Sequence, residues 1–144
     1  MTNNKTIHAS AVLVGARAVL IRGPSGSGKS RLALELIWAA RSGPPRFARL
    51  VGDDRVHVEA AHGRLVVRQA AALAGLIEVR GVGIRKLPYE PSAVVGLVVD
   101  LAVDAERLPR ADQQRTELEG VALARLAVAV GKPPLPVVLA LLTS

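Results

Sequence analysis

Eight consecutive residues, Gly23, Pro24, Ser25, Gly26, Ser27, Gly28, Lys29 and Ser30, carry the clearest chemistry in the chain. They keep the spacing G-x-x-x-x-G-K-[ST], in which glycines let the backbone wrap a phosphate and aim successive N–H groups at its charge. Lys29 stands where an ammonium reaches the terminal phosphates of a nucleotide. Ser30 stands where a hydroxyl serves Mg2+, a hard cation that takes oxygen ligands. The competing reading is a Gly/Ser-rich turn that happens to contain Lys-Ser. An apolar run before the loop and helix-forming residues after it argue against that reading.

Acids follow downstream. Asp53 and Asp54 end the apolar run Ala48 to Val51, where carboxylates beside a phosphate loop either hold the metal or accept a proton. An ordinary surface turn is the plain alternative, since Asp is common at strand ends. Adjacent acids point in different directions, so the two need not share a role. Glu78 and Arg80 alternate with Ile77 and Val79 and project from one face of a strand, where a solvent-facing pair is the simpler reading. His8, a lone histidine in an apolar strand, is by itself more often structural than catalytic. No role is assigned to His57 or His62.

The elements that must position these groups are legible in outline. Ile7 to Val14 and Ala18 to Ile21 predict two strands joined by a tight turn, the second running into the glycine loop. A helix is expected from Ser30 to the stop at Ser42-Gly43-Pro44-Pro45. Beyond it, Ala48 to Val51 predicts a strand, Arg55 to Ala60 with Arg64 to Gln69 a hairpin, and Leu76 to Arg80 another strand. Ala93 to Val103 predicts a buried strand interrupted by Asp100. Arg107 to Glu119 is the most polar segment and predicts a mobile loop; Val121 to Val130 fits a strand or a helix, with the bracketing Gly120 and Gly131 favouring the strand, and Leu135 to Leu142 predicts a short helix. Strands alternating with helices around a phosphate loop predict an α/β fold of P-loop kinase-like type, a mixed β-sheet flanked by helices.

Composition narrows the classes. The 144 residues suit one domain, half of them are hydrophobic, and Trp38, Phe47 and Tyr89 are the only aromatics, so the core is built from Ala, Val, Leu and Ile. Cysteine is absent, which removes disulfides and thiolate metal sites. The formal charge of +7 is spread over arginines scattered from Arg17 to Arg125, without a basic run or base-stacking aromatics. Nucleic acid is therefore not the expected partner. No apolar run approaches the ~18 residues of a membrane span and no signal peptide is visible, so the expected location is cytoplasmic.

In order and spacing, these residues resemble the bacterial HPr kinase/phosphorylases, specifically their C-terminal catalytic domain. That family places a histidine fifteen positions before its loop Gly-x-Ser-Gly-x-Gly-Lys-Ser, and here His8 and Gly23 are separated by 23 − 8 = 15. A strand ending in Asp-Asp follows, as in Leu50-Val51-Gly52-Asp53-Asp54. The family's Glu-Ile-Arg-Gly-Leu-Gly-Ile is matched by Glu78-Val79-Arg80-Gly81-Val82-Gly83-Ile84. The resemblance is firm from His8 to Ile84 and extends over most of the chain. Short forms of this kind resemble those of alphaproteobacteria.

The resemblance implies an ATP- and Mg2+-dependent serine protein kinase acting on HPr or an HPr-like phosphocarrier of a phosphotransferase system. It implies Asp54 as proton acceptor, Ser30, Asp53 and Glu78 around the metal, and His8, Lys29 and Arg80 as catalytic residues. Arg107, in Glu106-Arg107-Leu108, is the counterpart of a functional arginine in the family's Asp-Arg-Leu. It also implies a homo-oligomer, a hexamer. Only seven residues precede His8, so a single domain spanning 1–144 without the family's N-terminal domain is expected. Where the family has Gly-Arg-Asn, tied to removing phosphate from phosphoserine, this chain has Gly131-Lys132-Pro133-Pro134, which leaves the reverse reaction open. Two rivals remain: a P-loop kinase of a small metabolite, which needs a pocket rather than a docking surface, and a nucleotide-sensing module without catalysis.

Overall fold

The computed structural model describes residues 6–104 and 109–143. In chain order the elements are β1 (Thr6–Ile7), β2 (Ala9–Val14), β3 (Arg17–Arg22), α1 (Lys29–Ala39), β4 (Ala48–Gly52), β5 (Val56–Ala61) and β6 (Arg64–Gln69). They continue with β7 (Leu76–Val79), β8 (Gly83–Lys86), β9 (Ser92–Leu101), β10 (Arg115–Leu118), β11 (Val121–Val128) and α2 (Pro134–Thr143).

The sheet runs in the order β1-β5-β6-β9-β3-β2-β4, with β11 joined to β9 and β10 to β11. It is mixed because β9 changes partners along its length. Ser92 to Val94 pair antiparallel with β6, Leu97 to Leu101 pair parallel with β11, and β3 lies parallel along the other edge. β3, β9 and β11 therefore end side by side. The α/β architecture with a mixed sheet is the one the sequence predicts.

Alternation divides the side chains between two cores. On one face Val12, Val19, Ile21, Val99 and Leu101 meet Leu32, Ala33, Leu36 and Ile37 of α1 and Val138 of α2. Those four α1 residues form one stripe of the helix, and both helices cover this same face. On the other face Ala9, Ala11, Ala18 and Leu20 meet Val56, Val58, Leu65 and Val67. Three alanines leave room for the β5–β6 hairpin to fold back over the sheet, which closes that side without a helix or an aromatic residue.

Two expectations are corrected. The strand beginning at Ile7 is broken by a bend at His8: β1 pairs with β5, whereas β2 pairs with β3 and β4, so the histidine sits between two strands instead of within one. The polar segment expected as a mobile loop contains a short 3-10 turn at Ala111–Gln114 and then β10. Arg115 to Leu118 alternates polar and apolar residues and pairs antiparallel with Val121 to Ala124, with Leu118 packed against the second core. The turn residues Glu119 and Gly120 reverse the chain there with φ of 50° and 78°.

Asp100, expected to interrupt the most apolar strand, is built into it. Its Oδ1 accepts from Arg22 Nε at 2.7 Å, and its Oδ2 accepts from Arg22 Nη2 at 2.8 Å and from Arg125 Nε at 2.6 Å. Arg125 Nη1 also donates to the Gln113 carbonyl at 3.1 Å, tying the 3-10 turn to the sheet. Burial alone would raise the Asp100 carboxyl pKa, but hydrogen bonds and charge from Arg22 and Arg125 outweigh it and hold the carboxyl below its ordinary 3.8. A depressed carboxyl pKa stabilises the fold above the unfolded-state value. This contribution is complete above pH 3.8 and is lost as pH falls below it toward the lower folded-state value. Asp100→Asn leaves two guanidinium groups short of their anion, and should cost ~3 kcal/mol at neutral pH. Urea melts at several pH values should show the wild type converging on the variant below pH 3.8.

Candidate active site

The phosphate loop leaves β3 at Gly23, where even a Cβ would be crowded. A Cβ there would lie 2.5 Å from Ser27 Oγ, 3.1 Å from Leu101 Cβ and 3.2 Å from the Leu101 carbonyl oxygen. The loop doubles back, with Ser27 N–H donating to the Pro24 carbonyl at 3.0 Å, and enters α1 through Gly28 at φ 97°, a conformation suited to glycine. No side chain caps this helix and its first turn holds no acid, so its N-terminal N–H groups and positive dipole end are not neutralised from within. That is the arrangement that receives an anion. Lys29 is buried, and its Nζ spans the loop, donating to the Gly23 carbonyl at 2.8 Å and the Pro24 carbonyl at 3.3 Å.

Next to the loop the acids separate. Asp53 is 6% exposed, and its Oδ1 accepts from Ser30 Oγ and from Ser10 Oγ, both at 2.7 Å, while its Oδ2 accepts from the Glu78 backbone N–H at 3.2 Å. Asp54 turns outward. Its backbone is left-handed at φ 67°, its side chain is exposed, and its N–H donates to Ser10 Oγ at 3.2 Å. One hydroxyl thus fixes both acids, holding the first by its carboxylate and the second by its amide.

Ser30 and Asp53 are in direct contact, Lys29 precedes Ser30 at the start of α1, and Asp54 is fixed next to Asp53 by its amide on Ser10. Glu78 joins them through its backbone, with its side chain exposed on β7. His8 leaves the sheet beside the loop, because the next residue, Ala9, pairs with Arg22 immediately before Gly23. Its Nε2 lies 3.3 Å from Arg55 Nη2, and Arg55 Nη1 donates to Thr6 Oγ1 at 3.3 Å. Arg80 is exposed in the turn between β7 and β8, which the Val82 N–H closes on the Val79 carbonyl at 2.9 Å. Arg107 lies outside the described residues. Ser10, Arg22, Arg55 and Asp100 escaped the sequence reading. A hydroxyl inside Ala9-Ser10-Ala11-Val12 and a charge inside Val98-Val99-Asp100-Leu101 were the available signals, since polar groups in buried strands need partners.

Residues 1–136 match the family model described as HPr Serine kinase C-terminal domain. The chain belongs to that family. An HPr kinase/phosphorylase of Clostridium tetani is 33% identical over 135 residues, covering 91% of this chain and 42% of that protein. One from Streptococcus thermophilus is 34% identical over 142 residues, covering 90% of this chain and 44% of that protein. The chain thus spans less than half the length of these curated relatives. Among solved structures, the Hpr(Ser) kinase/phosphatase of Coxiella burnetii superposes with a TM-score of 0.74 at 23% identity, covering 96% of this chain and 88% of that one, which is a likeness of fold.

Two substitutions probe the geometry in this HPr kinase family domain. Gly23→Ala should weaken nucleotide binding in titration calorimetry, because the added Cβ crowds Ser27 Oγ within the loop and presses on Leu101 at the end of β9. Ser10→Ala removes a donor from a buried carboxylate and an acceptor from Asp54 N–H. It should lower stability by ~1–3 kcal/mol in urea melts, with nucleotide affinity largely kept.

Proposed function

We propose that this chain is an ATP-dependent protein-serine kinase domain that phosphorylates HPr or an HPr-like phosphocarrier protein. One observation carries the reading: Asp54 is an exposed carboxylate held in a left-handed turn beside a phosphate loop, while its neighbour Asp53 is buried against Ser30. Strained backbone of this kind clusters at functional sites. Membership of the HPr serine kinase family and the names of the relatives point to the same protein substrate. Residues 1–144 are read as one catalytic domain working in the cytoplasm, and no helix among the described residues is long and apolar enough to cross a membrane.

In this mechanism the loop amides and Lys29 bind the ATP phosphates. The Ser30 hydroxyl and the Asp53 carboxylate are hard oxygen donors in contact, and they fit Mg2+, which usually binds through one or two carboxylates plus substrate phosphates. Bound there, Mg2+ supplies neutralisation of phosphate charge. Glu78 joins this set if its exposed side chain turns toward Asp53, which its backbone already touches. The substrate serine oxygen attacks the terminal phosphorus, the bond to the leaving ADP oxygen breaks, and Asp54 takes the hydroxyl proton. His8, steadied by Arg55, orients groups beside the loop, and Arg80 and Arg107 meet the transferred phosphate or the substrate.

The β7–β8 hairpin offers a docking surface, since Val82 and Ile84 are 54% and 59% exposed. An apolar tip on a protruding hairpin suits a protein partner better than a metabolite, which favours this reading over a small-molecule kinase. A homo-oligomer, a hexamer by family resemblance, is supported by the outer face of α2, where Val137 and Leu141 are 48% and 49% exposed. A reverse reaction, in which phosphate attacks the phosphoserine phosphorus, the serine O–P bond breaks to give pyrophosphate and Asp54 returns a proton to the serine oxygen, would use the same loop and acid.

The test is incubation with labelled ATP, Mg2+ and HPr, read as acid-stable phosphoserine. Asp54→Asn should slow transfer ~100-fold or more with nucleotide affinity retained. If no phosphoserine forms on any carrier while ATP binds, the chain is a sensing module instead. Val82→Asp with Ile84→Asp should raise KM for HPr and leave KM for ATP unchanged.

A further inference from the structure

The segments that leave the three parallel strand ends are the phosphate loop after β3, Ala102 after β9 and the turn Ala129 to Lys132 after β11. Between them lies a cavity of about 210 Å3 whose rim is formed by Gly26, Ser27, Ala102, Val130, Gly131 and Lys132. Ligands of α/β sheets collect at the carboxyl ends of such strands. The cavity is smaller than the roughly 300 to 1,000 Å3 that encloses a whole drug-sized ligand, so it suits one planar ring system.

Its walls are formed in advance. The Lys132 N–H donates to the Ala129 carbonyl at 3.2 Å, closing a turn with Gly131 at φ 80° in third position, the pattern of a type II turn. That turn presents Val130 at 76% exposure, an apolar side chain left facing water by a fixed backbone. Across the cavity Ala102 is held left-handed at φ 57°, and the next residue, Val103, donates its N–H to the Val128 carbonyl at 3.3 Å. That conformation is uncommon for a residue with a Cβ, and at Ala102 it falls on the cavity wall.

We propose that this cavity takes the base of the nucleotide whose phosphates lie on the loop, an inference that rests on the phosphoryl-transfer reading above. Gly26 and Ser27 belong both to the loop and to the cavity wall, so a ligand anchored by its phosphates has its base within reach. Ser27 and Lys132 carry the only polar side chains in the lining. The ring is therefore held by apolar contact and shape rather than by a fork of side-chain donors and acceptors, and adenine and guanine nucleotides should bind with similar affinity.

The experiment uses the full chain with ethenoadenosine triphosphate as a fluorescent nucleotide and inorganic tripolyphosphate as its base-free counterpart, both with Mg2+. On binding, the etheno ring should become shielded from acrylamide quenching. Val130→Ala should weaken the fluorescent nucleotide roughly tenfold and leave tripolyphosphate affinity unchanged. Because Val130 is exposed, the variant keeps its fold, checked by circular dichroism. Ala102→Gly, which relaxes the opposite wall, should act in the same direction. A ring quenched as freely in the complex as in solution, or a Val130→Ala loss shared equally by tripolyphosphate, overturns the proposal. If the wild type binds neither compound, the phosphate-loop reading itself falls and takes this proposal with it.

Discussion

The carboxylate of Asp53 is nearly removed from water and has to be satisfied from inside the fold. The groups that do so come from three different elements: Ser10 from β2, Ser30 from the first turn of α1 and the Glu78 amide from β7. Leaving a buried charge without such partners costs several kcal/mol, so these contacts are conditions for folding rather than additions to it. A strand, a helix start and a hairpin therefore cannot shift independently. The start of α1 at the end of the glycine loop is arranged around this one anion.

A second buried acid acts at the other end of the loop. Asp100 holds Arg22, the residue immediately before Gly23, whereas Asp53 holds Ser30, the residue that closes the loop. The two anchors lie on opposite sides of β3: Arg22 and Asp100 share the face of Leu20 and Val98, while Asp53 meets the helix. The loop is clamped at both ends and braced within by Ser27 and Lys29 on its own carbonyls. Phosphoryl transfer asks a protein chiefly for positioning and fixed charge, and a loop held in this way meets that demand before any ligand arrives.

Local signals were enough for much of this. The glycine loop, its helix, the hairpin at His62-Gly63, the strand that delivers Asp53 and the strand that bears Glu78 follow from spacing and turn chemistry, because each depends on neighbours a few residues away. The divergence of Asp53 and Asp54 was also legible, as adjacent residues on extended chain point apart. What escaped depends on contacts distant in sequence. Ser10 acquires its role from a residue 43 positions on, and Asp100 from Arg22, 78 positions back. The bend at His8 arises because two different strands compete for the chain on either side of it. β10 is a strand because β11 offers it an edge, which its polar composition hid.

The β7–β8 hairpin shows how a rigid interior is joined to an exposed surface. Two strands alone are barely stable in water, and every residue of β8 is exposed, so the hairpin needs anchors at its base. Ile77 is buried in the helix-side core, and Leu87 N–H donates to the Gly75 carbonyl at 2.7 Å. Gly75 itself, at φ 74°, is packed where a Cβ would lie 2.7 Å from Tyr89 Cδ1 and 2.9 Å from the Leu87 carbonyl oxygen. The base is fixed and the tip is free. Between them stands Glu78, whose amide is one of the three groups on Asp53, so a force applied at Val82 or Ile84 acts on a strand bonded directly to the buried anion. The hairpin tip and the acid beside the phosphate loop are thus joined through the backbone of β7.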